Sequence, residues 1–360
     1  MRVEPVYVQG WLSATPRQQV SIVSQKEKIM TTILGIDIAS EKFDVHLQRE
    51  GQQPEPATFE NTKKGFGQLQ RFLKKRQAQD AHVCMEATGV YYEELAHFLH
   101  EKGYAVSVVN PLQIKAYARS QLRRNKTDRL DAEVIADFCG SQNPPLWSPP
   151  DPVYYELRGL VRHLEDLESD RQRQRNRLHA YKRSAHAPAT ILKDLRKQIQ
   201  FLSRQITSVK QQIQALINKH PALKEQCCLL ASIVGIGQLS AAKLMAEYGD
   251  MTLFGGVRQV VAFAGLNPRQ RQSGSSIRGK TNISKMGRSS IRAALYMPAM
   301  SAIQHNTLLQ PLITRLREDG LCEMEIIVAV MRKLLHLAFG VLKTGQPFDP
   351  HYLEKEVAIA

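Results

Sequence analysis

Hydrophobic side chains repeat with two different periods along this chain, and the change falls at the five prolines of the stretch 143–152. Before the prolines, short apolar runs such as "TTILGIDIAS" (31–40) alternate with amphipathic helical patterns such as "TKKGFGQLQRFLKKRQ" (62–77). Three leading strand-like runs followed by helix–strand alternation predict a mixed sheet flanked by helices. We therefore expect an α/β domain over residues 31–150.

After the prolines, apolar residues keep a 3-4 spacing over four heptads, which predicts a coiled-coil seam. The seam comprises Leu192, Leu195, Ile199, Leu202, Ile206, Val209, Ile213 and Leu216. An earlier helix repeats the spacing from Leu157 to Leu167 and then becomes basic, so we expect a coiled-coil region over residues 151–220. The pattern fits an antiparallel hairpin within one chain and a dimer interface between chains equally well.

The last third of the chain, residues 221–350, is predicted to be helical and is punctuated by glycine. "GIG" at 235–237 lies between two apolar helical patterns. This arrangement resembles a helix-hairpin-helix element, whose glycine turn offers backbone N–H groups to a phosphate. Residues 1–30 are expected to be a poorly ordered extension, and residues 351–360 a tail.

Composition favours a nucleic-acid partner, because 49 Lys and Arg against 34 Asp and Glu give a formal charge of +15. No apolar run is long enough to span a membrane. The five cysteines form no CxxC pair and no zinc-binding spacing, so we expect a cytoplasmic protein with free, buried thiols.

Positive charge is most concentrated between Asn267 and Arg292, where seven Lys and Arg occur without a single acidic residue. This stretch contains "RQSGSSIRGK" (271–280), with three serines and two glycines. By themselves these residues predict a flexible loop that grips phosphate. A serine that attacks phosphate is the alternative.

Four carboxylates stand at the ends of predicted elements: Asp37, Glu86, Asp128 and Asp131. Asp37 and Glu86 interrupt apolar strands, where a charge is costly unless it is paired or binds a metal. The other two are three residues apart at a helix start, where negative charge also stabilises the helix end. Clustered carboxylates suit Mg²⁺, and two such ions serve phosphodiester chemistry.

Several motifs together resemble the DEDD transposases of bacterial insertion sequences, the serine-dependent recombinases guided by an element-encoded bridge RNA. The motifs are "GIDIASEKFDV", "CMEATGVYYEELA", "VSVVNP", "LRRNKTDRLDAEVIADFC", "FAGLNPR", "SGSSIRG" and "ALYMPAM". They occur in the family's order from about Leu34 to Pro350.

The resemblance implies an RNase H-like (RuvC-like) domain whose acids Asp37, Glu86, Asp128 and Asp131 bind one or two Mg²⁺ ions. It further implies a coiled-coil connector and a helical C-terminal transposase domain. Ser273 matches the family serine that attacks DNA and forms a covalent phosphoserine link. A dimer, a tetramer on DNA, and active sites shared between protomers are also implied, with donor DNA, target DNA and the bridge RNA as partners.

Several residues are predicted to contact nucleic acid, and the basic helix 171–183 is a candidate for contact with the guide RNA. The predicted contacts are Arg269, Arg271, Ser275, Ser276, Arg278, Lys280, Lys285, Arg288, Gly235, Gly237, Arg123, Arg124 and Lys126.

Three other functions fit parts of the sequence. In a two-metal nuclease or junction resolvase, the acids would cleave DNA and the serine stretch would only bind it. A tyrosine recombinase would use Tyr296, although its apolar helical surroundings favour core packing. A non-catalytic nucleic-acid-binding protein explains the charge, but leaves Asp37 and Glu86 unexplained.

Overall fold

A computed structural model of the chain describes residues 32–121, 128–273 and 277–350, without the side chains of residues 128, 129 and 270–281. The chain divides into two compact units, of which the first ends at Pro149 and the second begins at Pro150. The division lies inside the proline-rich stretch.

The first unit contains a five-stranded sheet with the strand order β3-β2-β1-β4-β5. Its strands are β1 (Thr32–Ile38), β2 (Lys42–Arg49), β3 (Glu55–Glu60), β4 (His82–Glu86) and β5 (Ala105–Val109). The first three strands form an antiparallel meander, whereas β4 and β5 lie parallel to β1. The predicted mixed sheet is therefore confirmed, and its strand order fits the RNase H-like expectation.

Helices cover both faces of this sheet. They are α1 (Lys63–Lys75), α2 (Glu93–Glu101), α3 (Pro111–Ser120) and α4 (Asp128–Gln142). Strand residues such as Leu34 and Phe43 pack with α1 and α2 in one core. Cys84 packs with α3 and α4 in a smaller one. The sequence did not predict α3, which begins at Pro111 with Asn110 as its N-cap.

The proline-rich stretch is fastened to the outer edge of β5. The Trp147 backbone N–H donates to the Val106 carbonyl oxygen at 2.7 Å. The Trp147 ring lies edge-on to His97 and His100, with centroids 5.1 and 6.0 Å away. Buried Ser107 places its hydroxyl 2.9 Å from the Pro145 carbonyl oxygen. These contacts cover part of a sheet edge that would otherwise expose unpaired backbone groups.

The second unit is mostly helical, as predicted. Its helices are α5 (Pro152–Arg183), α6 (Ala189–Lys219), α7 (Pro221–Ala231), α8 (Gln238–Tyr248), α9 (Val257–Phe263), α10 (Ser289–His305), α11 (Gln310–Glu318) and α12 (Glu323–Thr344). Strands β6 (Pro268–Ser273) and β7 (Ile277–Ile283) form a separate antiparallel pair.

The coiled-coil seam lies within one chain, because α5 and α6 pack against each other as an antiparallel helical hairpin. Near the C-terminal helices its apolar residues, including Leu157 and Ile213, belong to the main core. An ion pair of 3.1 Å joins Lys210 on α6 to Glu168 on α5. The hairpin and the C-terminal helices thus form one unit.

The expectation of buried thiols is only partly correct. All five cysteines are free, but Cys228 and Cys322 are exposed. Cys228 lies on α7, and Cys322 is the N-cap of α12. No helix in the described part of the chain has the length and apolar character needed to cross a bilayer.

Candidate active site

Asp37 lies near the carboxyl end of the central strand β1 and is half-buried. Its side chain alternates with those of Ile36 and Ile38, which face the larger core. Asp37 therefore projects to the opposite face of the sheet, together with Gly35.

Helix α4 crosses β1 at Gly35 in very close contact. A Cβ at Gly35 would lie 2.3 Å from the Ala132 carbonyl oxygen and 2.4 Å from the Ala136 backbone nitrogen. Two residues earlier on the strand, the Ile33 side chain lies next to Gly140 of α4, where an added Cβ would be 2.9 Å from Ile33 Cδ1. The helix therefore runs antiparallel to β1, and its N-terminus, with Asp128 and Asp131, points toward the Asp37 end of the strand.

Glu86 ends β4, the parallel neighbour of β1. The last paired residues are Ile36 on β1 and Met85 on β4, so Asp37 and Glu86 follow at the same level. Neighbouring strands lie about 4.8 Å apart. Cys84, two residues before Glu86, packs against α4, so Glu86 is on the α4 face as well. Its carboxylate accepts a hydrogen bond of 3.1 Å from the Thr88 hydroxyl.

The backbone thus brings three of the predicted acidic positions and the start of α4 to one corner of the first unit. Asp131 is half-buried. Asp128 begins α4, and its side chain lies outside the described set, as do Arg123, Arg124 and Lys126. Among the side chains that are described, no three His, Cys, Asp or Glu residues come close enough together to hold a metal ion. The four carboxylates have the oxygen donors that Mg²⁺ prefers, so the residue types fit this ion.

Asp44 is an acidic residue of this corner that the sequence analysis did not select. It pairs directly with Asp37 across β1 and β2, and it is only 8 % exposed. It accepts a 2.5 Å hydrogen bond from the Thr58 hydroxyl and lies 3.5 Å from the Lys42 ammonium. Polar alternation along β2, from Lys42 through Asp44 to Gln48, was the signal that could have found it.

Ser273 occupies the last position of β6 and pairs with Ile277 at the start of β7. The prediction of a flexible loop over 271–280 is therefore wrong for most of the stretch, which forms a β-hairpin. Alternating residues in "PRQRQS" and "IRGKTNI" support strand pairing, and the run of basic residues obscured this pattern. Ser275 and Ser276 lie outside the described residues, as do the side chains of Arg271, Arg278 and Lys280.

Backbone hydrogen bonds also join the residues just before β6 to those just after β7, at the base of this hairpin. Lys285 N–H donates to the Gly265 carbonyl oxygen at 3.1 Å, and Ser284 N–H donates to Asn267 at 2.9 Å. A Cβ at Gly287 would lie 2.4 Å from the Gly265 nitrogen, so this close approach requires glycine. The hairpin that carries Ser273 therefore extends from a closely packed base.

Arg288 anchors this base to helix α8. Its guanidinium donates to the Glu247 carbonyl oxygen at 2.6 Å and lies 3.2 Å from the Glu247 carboxylate, which is nearly fully buried. The guanidinium also stacks over the Phe263 ring at 4.8 Å. Arg288 is only half-exposed, so its predicted contact with nucleic acid would use the part of the side chain that solvent reaches. Arg269 and Lys285 are exposed.

The two glycines of the GIG turn have different environments. Gly235 has φ of +110°, and a Cβ there would lie 2.7 Å from the Ala302 side chain of α10. Gly237 is exposed, is the N-cap of α8, and has no neighbouring atom within 4 Å of a Cβ. Buried Asn306 donates from Nδ2 to the Val234 carbonyl oxygen at 3.0 Å and so fixes the turn.

The interpretation of Tyr296 as a core residue is wrong, because its side chain is 37 % exposed. Leu295 and Ala299 face the core from α10. Tyr296 is one residue from Leu295 and so is rotated by about 100° from it around the helix. The apolar run conceals this surface position.

Comparison with known proteins identifies two matching families. Residues 34–187 match the IS110-type DEDD transposases, and residues 227–313 match the transposases of the IS116/IS110/IS902 family. The first match spans the acid corner, and the second spans the GIG turn and the hairpin with Ser273.

Similar individual proteins cover most of the chain. The pilin gene-inverting protein of Moraxella bovis is 34 % identical over 321 residues, which are 88 % of this chain and 98 % of that protein. The transposase for insertion sequence element IS1328 of Yersinia enterocolitica is 25 % identical over 76 % of this chain and 84 % of its own length. The transposase for insertion sequence element IS1111A of Coxiella burnetii is 23 % identical over 80 % of this chain and 83 % of its own length.

Proposed function

This chain belongs to the IS110/IS116 family of transposases, and from that premise we propose that it is an RNA-guided, Mg²⁺-dependent DNA recombinase using Ser273 as nucleophile. As a member of the family it is an enzyme that cleaves and transfers DNA strands. The proposal adds the guide RNA, the metal and a covalent 5′-phosphoserine intermediate.

One observation carries the metal-dependent part of the proposal. The close crossing at Gly35 directs the N-terminus of α4 toward the strand ends that hold Asp37 and Glu86. Asp37, Glu86, Asp128 and Asp131 would then hold Mg²⁺. Bound there, Mg²⁺ activates an attacking oxygen and stabilises a leaving oxygen. The neighbouring Asp44, tied to Thr58, would keep its own carboxylate oriented beside Asp37.

The serine half of the proposal rests on the hairpin. A serine hydroxyl is a weak nucleophile until it loses its proton to a base or a metal-bound group. Arg269, Arg271, Arg278 and Lys280 flank Ser273 in sequence and would balance the charge of the attacked phosphate. When the Ser273 oxygen bonds to phosphorus, the departing strand keeps a hydroxyl, and the reverse attack rejoins strands without ATP.

The proposal includes assembly as a dimer and as a tetramer on donor and target DNA. In that assembly, the acids of one protomer act with Ser273 of another. The excess of basic residues over the whole chain supports a polyanionic substrate.

A denaturing gel tests the central step. Purified protein is incubated with its flanking non-coding RNA, Mg²⁺ and labelled donor DNA. We expect a labelled protein–DNA adduct from the wild-type protein and none from Ser273→Ala. Ser289→Ala, an exposed serine of the same basic stretch, is the control and should form the adduct normally.

The outcome separates the alternatives. A two-metal nuclease or resolvase would still cleave DNA after Ser273→Ala and would form no adduct in either protein. A non-catalytic binding protein would bind DNA or RNA equally with and without Mg²⁺ and would leave both intact. Omission of the RNA tests guidance, because adduct formation on the same DNA should then be lost.

Site-specific inversion is a second candidate reaction. It is favoured by the 34 % identity to a pilin gene-inverting protein over 88 % of this chain. Two plasmids distinguish the reactions, one with the element ends in inverted orientation and one with them in direct orientation, because recombination inverts the segment in the first and releases it as a circle from the second. Products from the inverted plasmid alone would favour the inversion reaction, and a circle from the direct plasmid would favour transposition.

A further inference from the structure

Charge is distributed unevenly along the α5–α6 helical hairpin. Residues 171–204, which form its distal half, contain ten Lys and Arg and one acid, Asp194. Residues 152–170, at the base of α5, contain five acids and two arginines. The distal half is therefore a strongly positive arm, whereas the base pairs its charges with the adjoining helices, as in the 3.0 Å contact of Lys243 with Glu165.

A groove runs between the two helices of this arm. It has a volume of about 660 Å³, and its walls include Arg173 and Arg177 from α5 with Lys197 and Phe201 from α6. The α5 pair is spaced by four residues, as is the α6 pair, so each pair lies on one face of its helix. The groove therefore combines cationic groups from both helices with one aromatic ring.

Phe201 lies next to the seam residue Leu202, and 56 % of its surface is exposed, which is unusual for a large apolar side chain. Neighbouring Leu195 is 3 % exposed and Leu202 is half-buried, so the seam beneath the groove is already filled. The Phe201 ring is therefore available as a flat apolar platform and is not needed to close the hairpin.

Charge identifies the kind of partner. A second copy of the arm would bring the same excess of positive charge and would be repelled, whereas a polyanion is attracted. An aromatic ring in a groove with cationic groups suits single-stranded nucleic acid, in which a base stacks on the ring and phosphates contact the basic side chains.

Polar groups at the groove favour RNA over DNA. Asp170, held by an ion pair with Arg173, lines the groove together with Gln174 and Gln198. A carboxylate repels phosphate but accepts a hydrogen bond from a ribose 2′-hydroxyl, and amides can both donate to and accept from it.

We propose that this groove binds a single-stranded segment of RNA, with one base stacked on Phe201 and adjacent phosphates on Arg173, Arg177 and Lys197. The inference deepens the proposed function, since it assigns residues to the RNA partner of that function. RNA binding at the groove requires neither Mg²⁺ nor Ser273, so it can be measured separately from strand cleavage.

Binding of a short single-stranded RNA to the full-length protein, measured by fluorescence anisotropy without Mg²⁺, tests the stacking. Phe201→Ala should weaken binding by between about 5-fold and about 150-fold, the range for loss of one base–aromatic stack. Phe201→Trp should restore it. Since Phe201 is largely exposed, circular dichroism should show unchanged helix content in both variants.

Arg177→Ala and Arg175→Ala form a matched pair for the phosphate contacts. Both arginines are exposed and each variant removes one positive charge from α5, but Arg175 lies about 200° around the helix from Arg173 and Arg177 and does not line the groove. Loss of a phosphate contact should lower the slope of log affinity against log salt by about 0.7 for a single strand. We expect this for Arg177→Ala and a smaller change for Arg175→Ala.

Three results would overturn the inference. They are equal effects of the two arginine variants, unchanged RNA affinity after Phe201→Ala, and equal affinity for DNA of the same sequence. Dissociation of a dimer by Phe201→Ala with normal RNA binding would instead make the groove a protein contact. If the wild-type protein binds RNA normally but forms no serine adduct with DNA, this inference stands and the proposed mechanism is contradicted.

Discussion

Replacement of Gly35 by alanine tests whether the crossing of α4 over β1 positions the acid corner. The new methyl group would lie 2.3 Å from the Ala132 carbonyl oxygen and 2.4 Å from the Ala136 nitrogen. Carbon and oxygen normally approach to about 3.3 Å, as in weak C–H···O contacts. Both contacts are backbone atoms of a helix, so neither can rotate away and α4 must move by about 1 Å.

The size of the effect follows from that displacement. Overpacking of a filled core costs about 1–3 kcal/mol, and the α4 face of the sheet is such a core. A displacement of about 1 Å in an active-site group can cost about 100-fold in rate. We therefore expect Gly35→Ala to lower the free energy of unfolding by about 1–3 kcal/mol and to reduce adduct formation about 100-fold.

Trp147 provides a local probe for the stability measurement, because it packs on His97 and His100 in the first unit. In a Trp11→Phe background it is the only tryptophan of the chain, so its fluorescence in urea reports unfolding of that unit. Gly67→Ala is the control. Gly67 lies within α1 with no atom within 4 Å of a new Cβ, so alanine should stabilise α1 by up to about 1 kcal/mol. Wild-type stability and wild-type adduct formation in Gly35→Ala would refute the reasoning.

Two further predictions concern the second unit and the thiols. Gly235→Ala should destabilise the chain by at least about 2 kcal/mol, because alanine is strained at positive φ and would overlap α10. Gly237→Ala should cost less, about 1 kcal/mol at most, because it meets no neighbouring atom and loses only the preference for glycine over alanine at an N-cap; thermal unfolding compares the two variants. Iodoacetamide should label the exposed Cys228 and Cys322 in the native protein but label Cys139 only after unfolding. Mass spectrometry measures this order. Cys139 should stay protected even though a hydrogen bond from the neighbouring Cys84 thiol lowers the pKa of Cys139 below its ordinary value; rapid native labelling there would contradict its burial.

The sheet of the first unit could be predicted well because core-facing apolar residues alternate regularly with other residues along β1. Leu34, Ile36 and Ile38 mark one buried face of β1, and Asp37 stands out between them. Charge inside such a run is costly, so its position at a strand end was informative. The approach of α4 to the strand could not be predicted. It depends on Gly35, and glycine in a strand indicates a bulge or a turn as readily as a close backbone crossing.

The β6–β7 hairpin of the second unit was harder to predict than its helices, because charged residues obscured the strand pattern. Strands β6 and β7 contain alternating Arg, Gln and Lys with few apolar residues, since a two-stranded hairpin has little core to fill. Their pairing is specified at the base, by the close approach of Gly265 to Gly287 and by the hydrogen bonds of Ser284 and Lys285. These contacts join residues about twenty positions apart, and no local window of sequence contains both partners.

Close backbone contacts at glycine residues position both candidate halves of the active site. The acid corner depends on a helix that touches a strand at Gly35, and the serine hairpin depends on two chain segments that touch at Gly265 and Gly287. In each case, backbone atoms meet where a side chain would otherwise separate them, so the separation is set by the rigid backbone and not by flexible side chains. Catalysis that requires placement within fractions of an ångström gains from this arrangement. Its consequence is that alanine at these three glycines should impair catalysis more than alanine at the exposed Arg269 of the hairpin, since losing one exposed charge leaves the backbone in place.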